Sequence, residues 1–212
     1  MKRVFKDGQT VLFQGDSVTD CGRKRRHNDL GPGYPAKVKE LYEIIFPDNC
    51  VNFVNRGVSG DRVRNLLERY DEDFLKVKPD YISILIGIND TWRFYDNNDK
   101  NTTGNFINEY ETLLTKIKHD MPNAVITLIV PFVTHALPDR AAWHEDLDPK
   151  VVGIYELAKK YANYVVPLDT IFDNAQRDGL FKAADIAADG VHPTDTGHAF
   201  IALEYLKSLG IL

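Results

Sequence analysis

The strongest constraint on the fold is the alternation of short, nearly unbroken apolar runs with segments whose apolar residues recur at helical spacing. Unbroken runs of this kind are typical of strands that are covered on both faces. Strands that alternate with helices form a parallel sheet whose faces the helices cover. The predicted strands are Thr10–Gln14, Val51–Asn55, Tyr81–Ile86, Ala124–Val130 and Asn163–Leu168.

The segments of helical period predict helices on both sides of this sheet. We therefore expect an α/β protein with a three-layer, flavodoxin-like fold, in which a five-stranded parallel sheet is flanked by helices. Two longer polar segments, Thr91–Thr103 and Pro131–Pro149, each follow a strand and are predicted as loops. The apolar positions that define the helices are Tyr34, Val38, Leu41 and Ile45; Val63, Leu66, Leu67 and Tyr70; Phe106, Tyr110, Leu113, Leu114 and Ile117; Ile154, Leu157, Ala158 and Tyr161; and Ala199, Ala202, Leu206 and Leu209.

Residues 1–212 are predicted to form a single domain, because no linker, repeat or low-complexity tract divides the chain. Hydrophobic residues make up 43% and charged residues 27%, a balance that supports a core and excludes a disordered or coiled-coil chain. The net charge is −5, and the basic cluster Arg23-Lys24-Arg25-Arg26 is too short to follow a phosphate backbone. Nucleic acid is therefore not a predicted partner.

The two cysteines, Cys21 and Cys50, are too few for a disulfide framework or a four-ligand zinc site. The first eight residues lack the apolar stretch of a signal peptide. The longest apolar run, Val125–Val133, is far shorter than the roughly 18 residues that a membrane span needs. We therefore expect a cytoplasmic protein with no membrane partner. A homo-oligomer is compatible with the sequence, but no pattern specifies one.

Polar residues directly follow several of the predicted strands. In an open α/β sheet, ligands bind outside the carboxyl ends of the strands, so these residues are the candidates for a site. They are Gly15-Asp16-Ser17-Val18-Thr19 after the first strand, Asn55-Arg56-Gly57-Val58-Ser59-Gly60 after the second, Gly87-Ile88-Asn89-Asp90 after the third, and Asp189-Gly190-Val191-His192-Pro193 after the fifth strand and its helix. Their convergence on one edge predicts a functional site there.

Three of these residues have the chemistry of nucleophilic catalysis. Ser17 comes at a sharp turn between strand and helix, where its hydroxyl is available as a nucleophile. Asp189 and His192 are three residues apart, so the carboxylate can hold one imidazole nitrogen and leave the other for the serine. Taken singly, each has a simpler interpretation: Ser17 caps a helix, and the Asp–His pair is a surface pair or two metal ligands.

Gly57 and Asn89 are candidates to stabilise charge on a reacting oxygen. Gly57 has no Cβ, so its backbone N–H can approach that oxygen closely. Asn89 can donate its side-chain amide to the same atom. The alternative interpretations are an ordinary turn glycine and an Asx-turn.

Taken together and in order, these blocks resemble the SGNH (GDSL-type) hydrolases over nearly the whole chain. The blocks are Gly15-Asp16-Ser17, Gly57, Gly87-x-Asn89-Asp90 and Asp189-x-x-His192, and the leucine that usually follows the serine is Val18 here. Within that superfamily, the segments Phe13–Arg23 and Gly87–Arg93 look like those of the intracellular acetyl xylan esterases.

The resemblance implies a serine esterase whose substrate is a small-molecule ester, with an acetylated sugar as the expected substrate. Ser17 would be the nucleophile, His192 the general base and acid, and Asp189 the orienting carboxylate. The oxyanion hole would comprise the Ser17 and Gly57 N–H groups and the Asn89 side chain. Substrate contacts are predicted for Asp16, Trp92, Arg93 and Trp143, whose indoles suit stacking on a sugar. No cofactor and no metal are predicted.

Several alternatives compete with this hypothesis. Ser59 stands in an incomplete Gly-x-Ser-x-Gly elbow, and Cys21 with a histidine would suggest a thiol enzyme. The remaining histidines, His27, His119, His135, His144 and His198, show no metal-ligand spacing, although His135 and His144 are candidates to line the pocket. Two alternative functions stay open. One is a lysophospholipase or thioesterase on the same scaffold, and the other is a non-catalytic flavodoxin-like binding module.

Overall fold

The computed structural model describes residues 1–24, 29–96, 99 and 101–212; Arg25, Arg26 and His27 lie outside these residues. Its strands form one five-stranded sheet in the order β2-β1-β3-β4-β5, and every neighbouring pair is parallel. This is the flavodoxin-like order, so the predicted fold class is confirmed. The strands are β1 (Thr10–Gly15), β2 (Asn52–Asn55), β3 (Tyr81–Leu85), β4 (Val125–Ile129) and β5 (Tyr164–Val166).

Helices connect and follow the strands. A single π-helical turn, Asp71–Leu75, extends the chain beyond the third helix. The helices are α1 (Ser17–Asp20), α2 (Tyr34–Ile45), α3 (Val63–Glu68), α4 (Ile88–Asp96), α5 (Thr103–Asp120), α6 (Arg140–Tyr161), α7 (Leu168–Arg177), α8 (Ala183–Ile186) and α9 (Asp195–Ser208). Each of the five predicted helical segments lies within or largely overlaps one of these helices.

The helices cover the sheet in two layers because successive strand residues point to opposite faces. Leu12 of β1 and Ile84 of β3 pack with α3, α5 and α6 on one face. Phe13 of β1 and Leu85 of β3 pack with α2, α7 and α9 on the other. Both faces are therefore apolar, which explains the unbroken apolar runs in the sequence.

The two segments predicted as loops are partly helical, so that prediction is wrong. Ile88–Asp96 is helical, and so is the chain from Arg140, with Pro149 inside the helix. The buried face of α6 recurs at helical spacing through Trp143, Leu147 and Val151. This packing outweighs the backbone hydrogen bond that a proline removes from a helix interior.

The chain passes from β1 to β2 on one side and then crosses to β3 on the other side of β1. The strand order therefore reverses between β1 and β3, and their carboxyl ends form the topological switch point of the sheet. Ser17 follows β1 after one residue, and Asn89 lies four residues past the end of β3. Both side chains are thus delivered to the crevice where α/β proteins bind ligands. Within the described residues, the longest helices are too polar to cross a membrane.

Candidate active site

Ser17 is held at the first position of α1 by its neighbours. A Cβ on Gly15 would lie 2.2 Å from the Leu85 carbonyl oxygen, so only glycine allows β1 and β3 to approach this closely at their ends. Asp16 caps α1, because its Oδ1 accepts the Val18 N–H at 3.0 Å. The Gly-Asp-Ser sequence therefore forms a tight strand-to-helix turn that presents the serine hydroxyl.

His192 and Asp189 lie on the turn between α8 and α9, opposite Ser17. The distance from Ser17 Oγ to His192 Nε2 is 2.8 Å, and His192 Nδ1 is 2.7 Å from Asp189 Oδ2. Asp189 Oδ1 accepts the backbone N–H groups of Val191 and His192 at 2.9 and 2.7 Å. The structure thus brings the three predicted residues into one chain of hydrogen bonds.

The charge state of Asp189 fixes the imidazole tautomer. Burial raises the pKa of this carboxyl, but the hydrogen bonds from His192 and Val191 outweigh burial and hold the pKa below its ordinary value. An ionised carboxylate only accepts hydrogen bonds, so His192 Nδ1 carries the proton and Nε2 keeps its lone pair. Nε2 is therefore able to accept the proton of the Ser17 hydroxyl.

Asn89 lies in the first turn of α4 and is 4% exposed. Its Nδ2 donates to the Asp61 carbonyl oxygen at 3.0 Å. An amide nitrogen has two N–H donors, so this bond orients the side chain and leaves the second donor for another acceptor.

Gly57 does not meet the prediction made for it. Its N–H donates to Asn55 Oδ1 at 2.8 Å, so this donor is already paired inside the turn after β2. A Cβ on Gly57 would lie 2.6 Å from the Asp20 backbone nitrogen. The residue is needed for close packing of this turn on α1, and the expectation that its N–H binds a reacting oxygen is wrong.

Gly60, three residues further on in the same polar block, is a residue for which no role was predicted. Its φ is +87°, and its N–H has no acceptor within the described part of the chain. The neighbours of Gly60 are fixed on both sides: Ser59 N–H and Oγ donate to Asp20 Oδ2 at 3.0 and 2.8 Å, and the Asp61 carbonyl accepts from Asn89. Gly60 thus lies between α1 and the Asn89 amide. In the sequence, the one signal for this position is the glycine itself, because a turn with φ > 0 favours glycine.

The predicted substrate-contact residues fall into two groups. Asp16 is 1% exposed and caps α1, and Trp143 is 4% exposed and stacks on Tyr95 at 5.6 Å. Trp143 presents no free face to a sugar, so that prediction is wrong. Asp16 lines a small cavity with Val18 and Val191, and its contact with substrate stays a prediction. Trp92 is partly exposed, with its ring 5.6 Å from that of His192, and Arg93 forms an ion pair with Asp96. Trp92 and Arg93 stay predictions.

The Cys21 thiol has a histidine partner but no base. Its Sγ is 3.2 Å from His198 Nε2, while His198 Nδ1 accepts the Tyr34 N–H at 3.2 Å. Nδ1 is therefore unprotonated and Nε2 carries the proton, so His198 is unable to take a proton from the thiol. Burial lowers the pKa of His198 to about 4 and raises that of Cys21.

The histidines named as pocket candidates lie elsewhere. His135 and His144 stack on each other at 5.0 Å, and His144 lines a cavity of about 280 Å³ with Asp148, Asp169 and other residues of α6 and α7. Among the residues that the structure describes, no group of three or more His, Cys, Asp or Glu side chains is arranged to hold a metal ion.

A five-stranded parallel α/β sheet with a serine, a histidine and an aspartate at its carboxyl edge defines the class of SGNH-type carboxylic ester hydrolases. The chain belongs to the GDSL-like lipase/acylhydrolase family, whose sequence model matches residues 13–200. An acetylxylan esterase from Geobacillus stearothermophilus is 34% identical to this chain over 210 residues, which cover 96% of this chain and 94% of that protein.

Solved structures agree with this membership. A protein from Parabacteroides merdae assigned as a GDSL-like lipase matches with a TM-score of 0.92 at 32% identity, covering 98% of both chains. The crystal structure of the Geobacillus stearothermophilus acetylxylan esterase matches with a TM-score of 0.87 at 31% identity, covering 97% of this chain and 95% of that one. Catalytic mutants of that esterase, each with a serine, a histidine or an aspartate replaced by alanine, match equally well.

Proposed function

We propose that the chain, acting as one domain without a cofactor, removes acetyl groups from acetylated oligosaccharides such as xylo-oligosaccharides. The observation that carries the proposal is the hydrogen-bonded chain from Ser17 Oγ through His192 to Asp189. The related acetylxylan esterase supports it, because its catalytic aspartate and histidine are also three residues apart. That spacing places a carboxylate and an imidazole on one turn.

The reaction would proceed in two steps through an acyl-enzyme. His192 Nε2 takes the hydroxyl proton of Ser17 as Oγ attacks the ester carbonyl. The tetrahedral intermediate collapses, the C–O bond to the sugar breaks, and His192 gives the proton to the departing sugar oxygen. A water molecule then repeats the attack on acetyl-Ser17 with His192 as base, which releases acetate and restores the hydroxyl.

The oxyanion of each intermediate would be bound by the Asn89 side chain and by the backbone N–H groups of Ser17 and Gly60. Within the described residues, neither N–H has an acceptor, in contrast to that of Gly57. Preorganised donors bind the charged oxygen much more strongly than the ground-state ester, so they lower the barrier.

Asn89→Ala is expected to lower kcat by roughly 10²–10³-fold, or about 2.7–4 kcal/mol, with a modest change in KM. The variant also loses the hydrogen bond to the Asp61 carbonyl, so kcat is measured beside the melting temperature. Asn49→Ala is the matched control, because Asn49 is equally buried and hydrogen-bonded but precedes the start of β2, at the edge of the sheet opposite to Asn89. A folded Asn89→Ala enzyme with near wild-type kcat would exclude the amide from the oxyanion hole.

Support for a short acyl group comes from the space beneath the Ser17 turn. A cavity of about 10 Å³, the room of about one water-sized group, is lined by Val18, Ile88 and Val191, together with Asp16, Leu85, Pro131 and Phe132. Each of the first three residues is the sequence neighbour of a proposed site residue. The larger 280 Å³ cavity lies away from the site, because none of the residues that line it is a proposed site residue.

Acetate esters are expected to be hydrolysed faster than longer ones. One methylene that a pocket fails to accommodate changes kcat/KM by about 10- to 200-fold, so p-nitrophenyl butyrate should be at least about 10-fold worse than the acetate. The assay compares p-nitrophenyl acetate, butyrate and octanoate, then acetylated xylo-oligosaccharides against other acetylated sugars, a lysophospholipid and an acyl thioester. Preference for octanoate or for the lysophospholipid would replace the carbohydrate proposal with the lipase alternative.

A further inference from the structure

Arg140, the first residue of α6, reaches the turn that carries Asp189 and His192. Its side chain is 9% exposed, and its Nε donates to the Asp189 carbonyl oxygen at 2.8 Å. This bond joins the main chain of the proposed acid–base turn to a helix that begins 49 residues earlier. The Asp189 and His192 side chains are about 40% exposed, and the hydrogen bond to the buried Arg140 side chain connects their turn to the protein interior.

The stem of Arg140 also packs directly under this turn. Gly190 has a φ of +88°, and a Cβ there would lie 2.9 Å from Arg140 Cγ and 2.9 Å from the Thr134 carbonyl oxygen. The Thr134 N–H in turn donates to the Gly190 carbonyl at 2.8 Å. The turn is therefore seated on the Arg140 methylenes and on the Thr134 backbone, with no room for a side chain between them.

The guanidinium is fixed from three sides. It lies 4.1 Å from the Trp143 ring centroid and 5.5 Å from that of Trp92, and its Nη1 is 2.5 Å from the exposed Asp139 carboxylate. The Trp92 ring is also 5.6 Å from the His192 ring. Arg140 and His192 thus contact the same indole, and a planar guanidinium suits this stacking better than an ammonium.

We propose that Arg140 is a positioning residue that holds the Asp189–His192 turn at the distance at which His192 Nε2 meets Ser17 Oγ. It touches no reacting atom and acts through the Asp189 carbonyl, Gly190 and Trp92. The proposal rests on the proposed function, since it matters only if Ser17 and His192 carry the reaction. It also explains why Trp143 is buried: its indole supports the guanidinium.

The test measures kcat and KM for p-nitrophenyl acetate in Arg140→Met, Arg140→Lys and Arg140→Ala. A misplacement of about 1 Å costs roughly 100-fold, so Arg140→Met should lose about 10- to 100-fold in kcat with little change in KM. Arg140→Lys should recover only part of that loss.

Ethylguanidinium added to Arg140→Ala should restore kcat in a saturable manner. Arg177→Ala, an exposed arginine on α7, is the control that neither loses activity nor responds to ethylguanidinium.

Labelling with a serine-reactive phosphonate gives the fraction of each variant with a folded, competent site, and kcat is divided by that fraction. A corrected kcat within about threefold of wild type for Arg140→Met, or no response of Arg140→Ala to ethylguanidinium, overturns the proposal. Failure of the proposed function looks different: without a Ser17–His192 mechanism the wild-type enzyme would not be labelled at Ser17, and with another substrate class it would be labelled but would prefer longer esters in the ester series.

Discussion

Ser17→Ala is expected to lower kcat for an acetyl ester by about 10⁶-fold, the loss that follows when the nucleophile of a Ser–His–Asp site is removed. Without Oγ there is no acyl-enzyme, and His192 Nε2 loses its hydrogen-bond partner at 2.8 Å. The residual rate should stay about 10³–10⁴-fold above that in water, because the oxyanion donors and substrate contacts survive.

A serine-reactive phosphonate provides the direct measurement. It should label the wild-type chain on the peptide that contains Ser17 and leave Ser17→Ala unmodified. Ser59→Ala tests the alternative nucleophile: the variant should keep the label on Ser17, with at most a modest loss of kcat because the Oγ hydrogen bond to Asp20 that supports the Gly60 turn is removed. Label recovered on Ser59, or turnover that persists in Ser17→Ala, would contradict the assignment of the nucleophile.

The strands were predictable because burial on both faces leaves a direct trace in the sequence. Each observed strand lies within one or two residues of its apolar run; Thr10–Gln14, for example, became Thr10–Gly15. The start of the last helix is also a local signal, since Thr194 caps it by accepting the Gly197 N–H through Oγ1. Local signals of this kind need no knowledge of the tertiary structure.

Helix α4 and the first half of α6, from Arg140 to Pro149, were missed because polar residues and Pro149 outweighed a weaker periodic pattern. Trp143, Leu147, Val151 and Ile154 do recur at helical spacing on the buried face of α6. Lys150 interrupts that pattern for a reader of the sequence, yet it is fully buried and paired with Asp146. An ion pair allows a charged side chain to be buried in the core, and the sequence alone does not show which charged residues are paired in this way.

The errors within the site have a different origin, namely competition between hydrogen-bond partners. The choice of Gly57 over Gly60 depended on which N–H is free, and the Asn55 side chain decides that by pairing with Gly57 at 2.8 Å. The role of Trp143 likewise depends on Arg140, which approaches its ring only in the folded chain. The identity of the donors and the residues that support them follows from tertiary contacts and leaves no motif.

Asp189→Asn should cost about 10⁴-fold in kcat, through the imidazole tautomer rather than through lost structure. Asp189 Oδ1 accepts two backbone N–H groups, so the amide oxygen of asparagine must take that position. The NH₂ group then faces His192 Nδ1 and donates to it. The imidazole proton moves to Nε2, which is thereby unable to accept the proton of Ser17.

The measurement pairs kcat with thermal stability at two pH values. The pKa of Asp189 is depressed in the folded chain, so its ionised form stabilises the fold at neutral pH, and that contribution disappears as the pH falls through the lowered pKa. The melting temperature of Asp189→Asn should therefore be below that of wild type at pH 7 and approach it in acid. Asp185→Asn, an exposed control on α8, should keep its kcat. A kcat for Asp189→Asn within about tenfold of wild type would show that His192 needs no carboxylate to hold its productive tautomer, and the active unit would then be a Ser17–His192 dyad.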